Sequence, residues 1–158
     1  MTMETTLIIL KPDAVQRGLV GRIISRLEEA GLRMVGARFL QLSSQLAERL
    51  YEPHRGKPFY EGLLRFMTSS PVMVLAVRGL GAITICRKLI GETFGSQADP
   101  GTIRGDFGLS NSFNLVHGSD GPDSAQRELA IFFPPGDLVD YERAIESWVY
   151  DLSSGQPE

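Results

Sequence analysis

A dense cluster of polar residues at positions 114–128 holds the residue types that covalent catalysis requires. His117, one of only two histidines, ends an apolar stretch and is followed by Gly118, so its side chain is expected in a cleft that a ligand can approach. Glu128 comes one turn after Ser124 on a predicted helix. If that helix packs along the strand, Glu128 accepts a hydrogen bond from one ring nitrogen of His117 and leaves the other as a nucleophile. A core histidine beside a simple helix cap fits the same pattern equally well.

Three cationic residues from distant parts of the chain form a second candidate site. Lys11 interrupts the end of an apolar strand, Arg87 lies near the end of an apolar helix, and Arg104 stands in a glycine-rich segment. Arginine suits bidentate phosphate recognition, and lysine suits a point contact. Together in one cleft they would bind a polyanion, with Thr93 adding a hydroxyl donor. Taken singly, each is also compatible with a solvated or ion-paired surface residue.

Phe59 and Leu63 lie one turn apart on a predicted helix. This spacing fits a platform for a flat ring, but periodicity alone favours a place in the core. The glycine-rich phosphate motifs GxxxxGK and GxGxxG are absent, as are HExxH and any Cys/His cluster. Nucleotide or phosphate chemistry would therefore have to use scattered side chains.

The overall composition narrows the classes of function. The 158 residues are 42% hydrophobic and 22% charged, which is typical of one globular domain. The net charge of −3 disfavours nucleic acid as the main partner. The longest apolar run covers only residues 72–77, and no signal peptide is recognisable, so no membrane association is expected. The single cysteine, Cys86, excludes an intrachain disulfide and favours a reducing, cytoplasmic setting.

Hydrophobic periodicity predicts the elements that must position these residues. Strands are predicted at residues 5–10, 32–42, 72–77 and 114–117. Helices are predicted at residues 20–30, 46–51, 58–66, 85–90 and 124–132, with a last one capped by Asp137. Residues 92–107 are predicted to form a long loop, which is usually a functional feature. This order matches an α+β fold with the ferredoxin-like βαββαβ antiparallel sheet and surrounding helices.

Several short segments together closely resemble the nucleoside diphosphate kinase family. They are residues 11–21, 91–93, 100–107, 114–120, 124–128 and 148–150. The Asn-x-x-His-Gly-Ser-Asp stretch that begins at Asn114 is highly specific for that family. The resemblance extends over residues 5–151, so we expect residues 1–158 to form a single domain of this family, with a flexible tail at 152–158.

The resemblance implies a ping-pong reaction. The γ-phosphate of a nucleoside triphosphate such as ATP would pass to a nucleoside diphosphate through a phosphohistidine. His117 would be the nucleophile, phosphorylated on its δ nitrogen, and Glu128 would orient its ring and bind Ser119. Lys11 and Tyr51 would reach toward the transferring phosphoryl group and the region of the ribose 3′-hydroxyl.

The remaining implied roles concern the nucleotide and the assembly. Asn114 would bind the ribose hydroxyl, and Phe59 would stack on the base with Leu63 beside it. Stacking on a ring face tolerates any base, so purines and pyrimidines would both be accepted. Mg²⁺ would be held by nucleotide phosphates and water, and six identical chains would form a homohexamer. The distal phosphates would be bound by Arg87, Thr93 and Arg104.

The chain departs from the family pattern in three places. Residues 94–96 are Phe-Gly-Ser where the family usually has Asn-Pro-Ala, so a flexible glycine replaces a rigid proline in a loop that contributes to subunit contacts. Asn111 replaces an aliphatic residue that helps to sandwich the base, and this is expected to weaken or alter that wall. Gly121 replaces a common serine, which is expected to matter little. A binding or regulatory module of the same fold is the alternative, but no matched catalytic residue is missing.

Overall fold

One antiparallel sheet organises the protein, whose computed structural model describes residues 1–158. The strands lie in the order β2-β3-β1-β4, so that β1 is paired on both sides. They are β1 (Met3–Leu10), β2 (Arg33–Leu40), β3 (Val72–Leu80) and β4 (Val116–Gly118). With helices covering the sheet, the predicted α+β, ferredoxin-like class is confirmed.

Eight helices surround the sheet, and two 3-10 turns add to them at Glu52–His54 and Gly95–Gln97. None of the helices has the length and apolar character that a membrane crossing needs. The helices are α1 (Pro12–Gln16), α2 (Val20–Glu29), α3 (Ser44–Leu50), α4 (Tyr60–Met67), α5 (Ala82–Ile90), α6 (Ile103–Phe107), α7 (Pro122–Phe132) and α8 (Glu146–Val149).

The strand β1 is apolar throughout its second half because both of its faces are covered. Ile8 and Leu10 pack into one apolar cluster with residues of α2 and α5. Leu7 and Ile9 alternate with them and pack into a second cluster with residues of α3, α4 and α7. Directly opposed residues of an antiparallel pair share a face, and Ile9 is opposed to His117 of β4. The register therefore directs His117 toward the side of the sheet that carries α7.

The prediction of a continuous loop over residues 92–107 is wrong, because this segment contains the second 3-10 turn and α6. The side chain of Thr102 caps α6 by accepting a hydrogen bond from the backbone N–H of Gly105, at 2.9 Å. A helix of five residues is too short to show hydrophobic periodicity, which explains the error.

Gly95 has a packing role that the sequence did not indicate. It is buried, and a Cβ atom there would lie 2.5 Å from the carbonyl oxygen of Gly108. The absence of a side chain at Gly95 therefore allows two backbone segments to touch. Its φ is not in the left-handed region, so contact rather than turn geometry requires this glycine.

The prediction of a final helix capped by Asp137 is also wrong, since only the four residues of α8 are helical in this region. The segment instead lies against the edge strand β2. Val139 donates a backbone hydrogen bond to the carbonyl of Val35 at 2.8 Å, and a Cβ at Gly36 would lie 2.9 Å from the side chain of Leu138. Arg33 also donates to the carbonyl of Tyr141. These contacts with β2 outweigh the local helical pattern.

We expect Gly95→Ala to destabilise the fold by about 1–3 kcal/mol, because the new methyl group would collide with the Gly108 carbonyl. Urea unfolding followed by circular dichroism measures the change. Gly21→Ala is the matched control, since nothing lies within 4 Å of a Cβ there and alanine favours the helix α2. Equal unfolding midpoints for Gly95→Ala and the wild type would contradict the packing role.

Candidate active site

A cleft of about 910 Å³ opens on the α7 side of the sheet, between α4, α7 and the segments around residues 87–94 and 111–118. It brings together nearly all of the residues that the sequence singled out. Ser119, one of the eleven residues predicted for the site, is buried and donates a hydrogen bond to Glu128. The ten that line the cleft are Lys11, Tyr51, Phe59, Leu63, Arg87, Thr93, Arg104, Asn114, His117 and Glu128.

The pair of His117 and Glu128 lies at the centre of the cleft. The carboxylate oxygens of Glu128 lie 2.9 and 3.1 Å from Nε2 of His117, and Ser119 Oγ donates a hydrogen bond to Glu128 at 2.6 Å. Burial opposes ionisation of Glu128, but the hydrogen bonds from His117 and Ser119 prevail and lower the pKa of its carboxyl. An ionised Glu128 fixes the proton of the imidazole on Nε2. The Nδ1 atom of His117 has no hydrogen-bond partner and retains its lone pair for a ligand.

The cationic side of the cleft contains Lys11, Arg87 and Arg104. Lys11 is buried, and its ammonium donates a hydrogen bond to Oδ1 of Asn114 at 2.7 Å. Burial, reinforced by the charge of Arg104, lowers the pKa of Lys11 to about 8. Burial and the charge of Arg87 lower the pKa of Arg104 to about 10, so that it remains charged at neutral pH. Three positively charged side chains in one cleft favour the binding of an anion.

Arg104 also holds the cleft together. It donates hydrogen bonds to the backbone carbonyls of Asn114 at 3.0 Å, Val116 at 2.6 Å and Gly91 at 3.3 Å. A guanidinium has five N–H donors, so this arrangement leaves donors for a ligand. The sequence pattern indicated a phosphate contact at Arg104 but not this bracing of the strand that carries His117.

Leu115 has a backbone φ of +70°, which is uncommon for a residue other than glycine. Its N–H donates to Oδ2 of Asp13 at 3.1 Å, and its carbonyl accepts from the backbone N–H of Lys11 at 2.8 Å. Burial raises the pKa of the Asp13 carboxyl. The predicted strand at 114–117 therefore begins only at Val116, because Leu115 is turned out of the extended conformation. Asp13 was not among the predicted site residues; its place after Lys11 and a proline was the available signal.

His54 is a further residue of the cleft that was not among the predicted site residues. Its ring lies 6.1 Å from that of Tyr51 and 5.4 Å from that of Phe59. Burial, and next the charge of Lys57, lower the pKa of His54. The hydroxyl of Tyr51 is buried without a hydrogen-bond partner, and the Tyr51 ring meets His117 edge-on at 5.8 Å. The available signal for His54 was that it is the first of only two histidines in the chain and follows Tyr51 by three residues.

An apolar wall occupies the outer end of the cleft. Phe59 precedes α4 and is 52% exposed, so the core position favoured by periodicity is wrong for this residue. Leu63 lines the cleft and also packs against the second apolar cluster. Phe66 stacks on Phe113 with ring centroids 4.6 Å apart and planes at 11°. Exposed aromatic faces beside a cationic pocket suit a ligand that joins a flat ring to phosphates.

This combination of an oriented histidine, clustered cations and an aromatic wall on a ferredoxin-like sheet defines a class of protein, namely nucleotide-dependent phosphotransferases that work through a histidine.

Comparison with known proteins narrows the class to one family. The family model described as nucleoside diphosphate kinase matches residues 4–138. A nucleoside diphosphate kinase of Thermomicrobium roseum is 56% identical over 147 residues, which cover 93% of this chain and 99% of the relative. One of a Synechococcus species is 53% identical over 149 residues, covering 94% of this chain and all of the relative.

Comparison with solved structures points to the same family. A halophilic nucleoside diphosphate kinase from Halobacterium salinarum in complex with CDP has a TM-score of 0.92 at 45% identity, covering 95% of this chain and 100% of that chain. A transition-state mimic of the enzyme from Borrelia burgdorferi, with bound vanadate and ADP, has a TM-score of 0.88 at 35% identity, covering 92% of this chain and 96% of that chain. The chain belongs to the nucleoside diphosphate kinase family, and it is a nucleotide-binding transferase.

The depressed pKa of Lys11 predicts a pH dependence. We expect kcat/KM for phosphotransfer to fall as pH rises through about 8, because the free enzyme then loses the ammonium charge that attracts the nucleotide phosphates. Initial rates measured from pH 6 to 10 give the alkaline limb of this profile, that is, the fall of kcat/KM above about pH 8. Lys11→Gln should be about 100-fold slower and should lack the limb. An unchanged limb in Lys11→Gln would assign it to another group.

Proposed function

We propose that the chain transfers the γ-phosphate of a nucleoside triphosphate to a nucleoside diphosphate in two displacements at His117. The unpartnered Nδ1 of His117, opposite the Nε2 that is bound to Glu128, is the observation that supports this assignment. In the first step the Nδ1 lone pair attacks the γ-phosphorus, the bond to the β-phosphate oxygen breaks, and the diphosphate leaves. In the second step a terminal oxygen of the acceptor diphosphate attacks, and the P–N bond breaks.

The charge distribution around His117 suits both displacements. Positive charge develops on the imidazole as Nδ1 bonds to phosphorus, and the ionised Glu128 stabilises it through the hydrogen bond to Nε2. Ser119 also donates a hydrogen bond to this carboxylate and helps to hold it in place. Because the histidine stores the phosphoryl group, one cleft serves donor and acceptor in turn.

The positions of the other cleft residues support the roles proposed for them. Lys11 contacts the transferring phosphoryl group, and the free hydroxyl of Tyr51 reaches the same region. Asn114, whose amide oxygen is already bound by Lys11, contacts the ribose 3′-hydroxyl. Phosphoryl transfer depends mainly on positioning and charge neutralisation, which these contacts supply. Arg87, Thr93 and Arg104 bind the distal phosphates, and Phe59 and Leu63 receive the base.

A magnesium ion is proposed to enter with the nucleotide. Mg²⁺ prefers oxygen ligands and keeps several waters, and it is commonly held by substrate phosphates. The cleft fits this mode because Asp120, an exposed carboxylate, lines it and offers oxygen ligands to such an ion or its water shell. When bound, the ion neutralises part of the phosphate charge. The cations of the chain neutralise the rest.

The domain organisation and the cellular compartment of the enzyme are also proposed. Residues 1–158 form one catalytic domain. The protein is cytoplasmic, a proposal supported by its single thiol: Cys86 is free and buried, and burial raises its pKa to about 12, so the thiol is unreactive at neutral pH.

The nucleophile is tested by labelling with radioactive ATP. We expect the wild type to form an acid-labile, alkali-stable phosphoprotein that discharges onto added GDP, because a P–N bond has this stability. His117→Ala should abolish the label, whereas His54→Ala, which changes the other histidine of the cleft, should still become labelled. Normal labelling and turnover in His117→Ala would show that the assignment is wrong.

A homohexamer is proposed as the assembly, supported by exposed apolar side chains on β2 and in the C-terminal segment. Phe39 on the edge strand β2 and Ile145 are more than half exposed, and Trp148 on α8 is 89% exposed. Light scattering should give the mass of six chains of 17.4 kDa each. A monomeric or tetrameric mass would contradict the proposal.

A further inference from the structure

Arg127 lines the cleft and is adjacent to Glu128 on α7, yet its guanidinium is bound to a different helix. It donates hydrogen bonds to the backbone carbonyls of Arg49 at 2.9 Å and Leu50 at 3.2 Å. These carbonyls belong to the last turn of α3, where carbonyls lack helical partners, and Pro53 has no N–H to offer to Arg49. Two neighbouring acceptors suit the fork of a guanidinium, and positive charge is favoured at the C-terminal end of a helix. Arg127 is therefore a cap for α3 that comes from another helix.

The end of α3 carries the phenol that lies beside the nucleophile. Tyr51 directly follows α3, and its hydroxyl is buried without a hydrogen-bond partner, so no contact within the cleft holds that group in place. The two hydrogen bonds from Arg127 are the only ones that join α3 to α7, and Glu128 joins α7 to His117. Apolar packing also connects the two helices, but it is not directional. The position of the Tyr51 hydroxyl relative to His117 therefore depends on this cap.

We propose that Arg127 is a positioning residue for phosphoryl transfer, which acts by holding the Tyr51 hydroxyl at the site where the phosphoryl group meets His117. The inference rests on the function proposed above and adds a residue to it. Two adjacent residues of α7 then serve one reaction, since Glu128 orients the nucleophile and Arg127 fixes the hydroxyl that meets the transferring group. A displacement of about 1 Å at a reacting centre can lower a rate about 100-fold, so a cap that touches no reacting atom still acts on the rate.

The test is a double-mutant cycle of Arg127→Met with Tyr51→Phe, which removes only the hydroxyl. Each enzyme is mixed with excess ATP and magnesium, and the rate of His117 phosphorylation in a single turnover is measured against ATP concentration. Arg127→Met should lower the maximal rate about five- to twentyfold and leave the half-saturating ATP concentration within about twofold of the wild type, because Tyr51 acts on the reacting phosphoryl group. In the Tyr51→Phe background the same substitution should lower the rate by less than about twofold, since the group that Arg127 positions is absent.

Arg49→Met is the matched control. Arg49 is an exposed arginine at the same end of α3, and its side chain forms no hydrogen bond or ion pair. The carbonyl that accepts from Arg127 belongs to the backbone of Arg49, so the substitution removes a charge from the same region and keeps the cap. The maximal rate of Arg49→Met should therefore stay within about twofold of the wild type. A loss as large as that of Arg127→Met would contradict a specific role of the cap.

A spectroscopic measurement follows the position of Tyr51 independently of activity. The four tyrosines are replaced by fluorotyrosine, and the resonance that disappears in Tyr51→Phe is assigned to Tyr51. Its ring meets that of His117 edge-on with centroids 5.8 Å apart, so a displacement changes its fluorine shift. The resonance should move in Arg127→Met and stay in place in Arg49→Met. If Arg127→Met does not fold, Arg127→Lys replaces it in all measurements, because an ammonium lacks the fork that binds both carbonyls.

Equal losses in both Tyr51 backgrounds, or an unmoved Tyr51 resonance, would overturn the proposal. A further contradicting result concerns Glu128, which His117 and Ser119 face and whose Oε1 lies 4.0 Å from the Arg127 guanidinium. If Arg127 acted through its charge on that carboxylate, its loss would raise the pKa of Glu128, and the acid limb of kcat/KM would move to higher pH in both Tyr51 backgrounds. Failure of the proposed function looks different, since no variant would then be phosphorylated, while the fluorine resonance would still report on the cap.

Discussion

The burial of one carboxylate, that of Glu128, is the constraint on which the site depends. An unpaired buried carboxylate costs several kcal/mol, so the fold is stable only when its hydrogen-bond acceptors are occupied. His117 and Ser119 occupy them; His117 lies in β4 and Ser119 follows that strand, while Glu128 lies in α7. The same hydrogen bonds therefore dock α7 on the sheet and orient the ring of His117. Lys11 and Arg104 are buried positive charges that repel each other. The binding of a polyanion reduces the free-energy cost of that burial and repulsion.

Much of the fold was predictable because its strands and longer helices bury continuous or periodic apolar surfaces. The ends of α2 and α5 were predictable for another reason: Gly31 and Gly91 follow them with φ of +93° and +89°. The last part of the chain was not predictable from local pattern. Its residues have helical spacing, but Val35 and Gly36 of β2 offer a backbone acceptor and an open space that local periodicity does not reveal. The short helix α6 carries too few residues for any pattern.

The candidate site was more accessible to sequence reasoning than these segments, because its residues resemble a specific family motif. Composition and spacing alone left His117 undecided between catalysis and core, and they favoured the core for Phe59. The contributions of Asp13 and His54 were missed, since each acts through a contact with a residue distant in the chain or through ring packing. The left-handed backbone of Leu115 could not be expected either, because nothing in its side chain favours that conformation.

The contact between Gly95 and Gly108 has a consequence for how this protein tolerates sequence change. It joins the segment that supplies Ser96 to the segment that supplies Asn111, and the hydrogen bond between those two side chains depends on the approach of the backbones. Substitutions at these four positions are therefore epistatic, since neighbouring residues that share a contact do not contribute independently. A side chain at position 95 would move the two backbones apart, and it would therefore alter the effect of any later substitution at position 111.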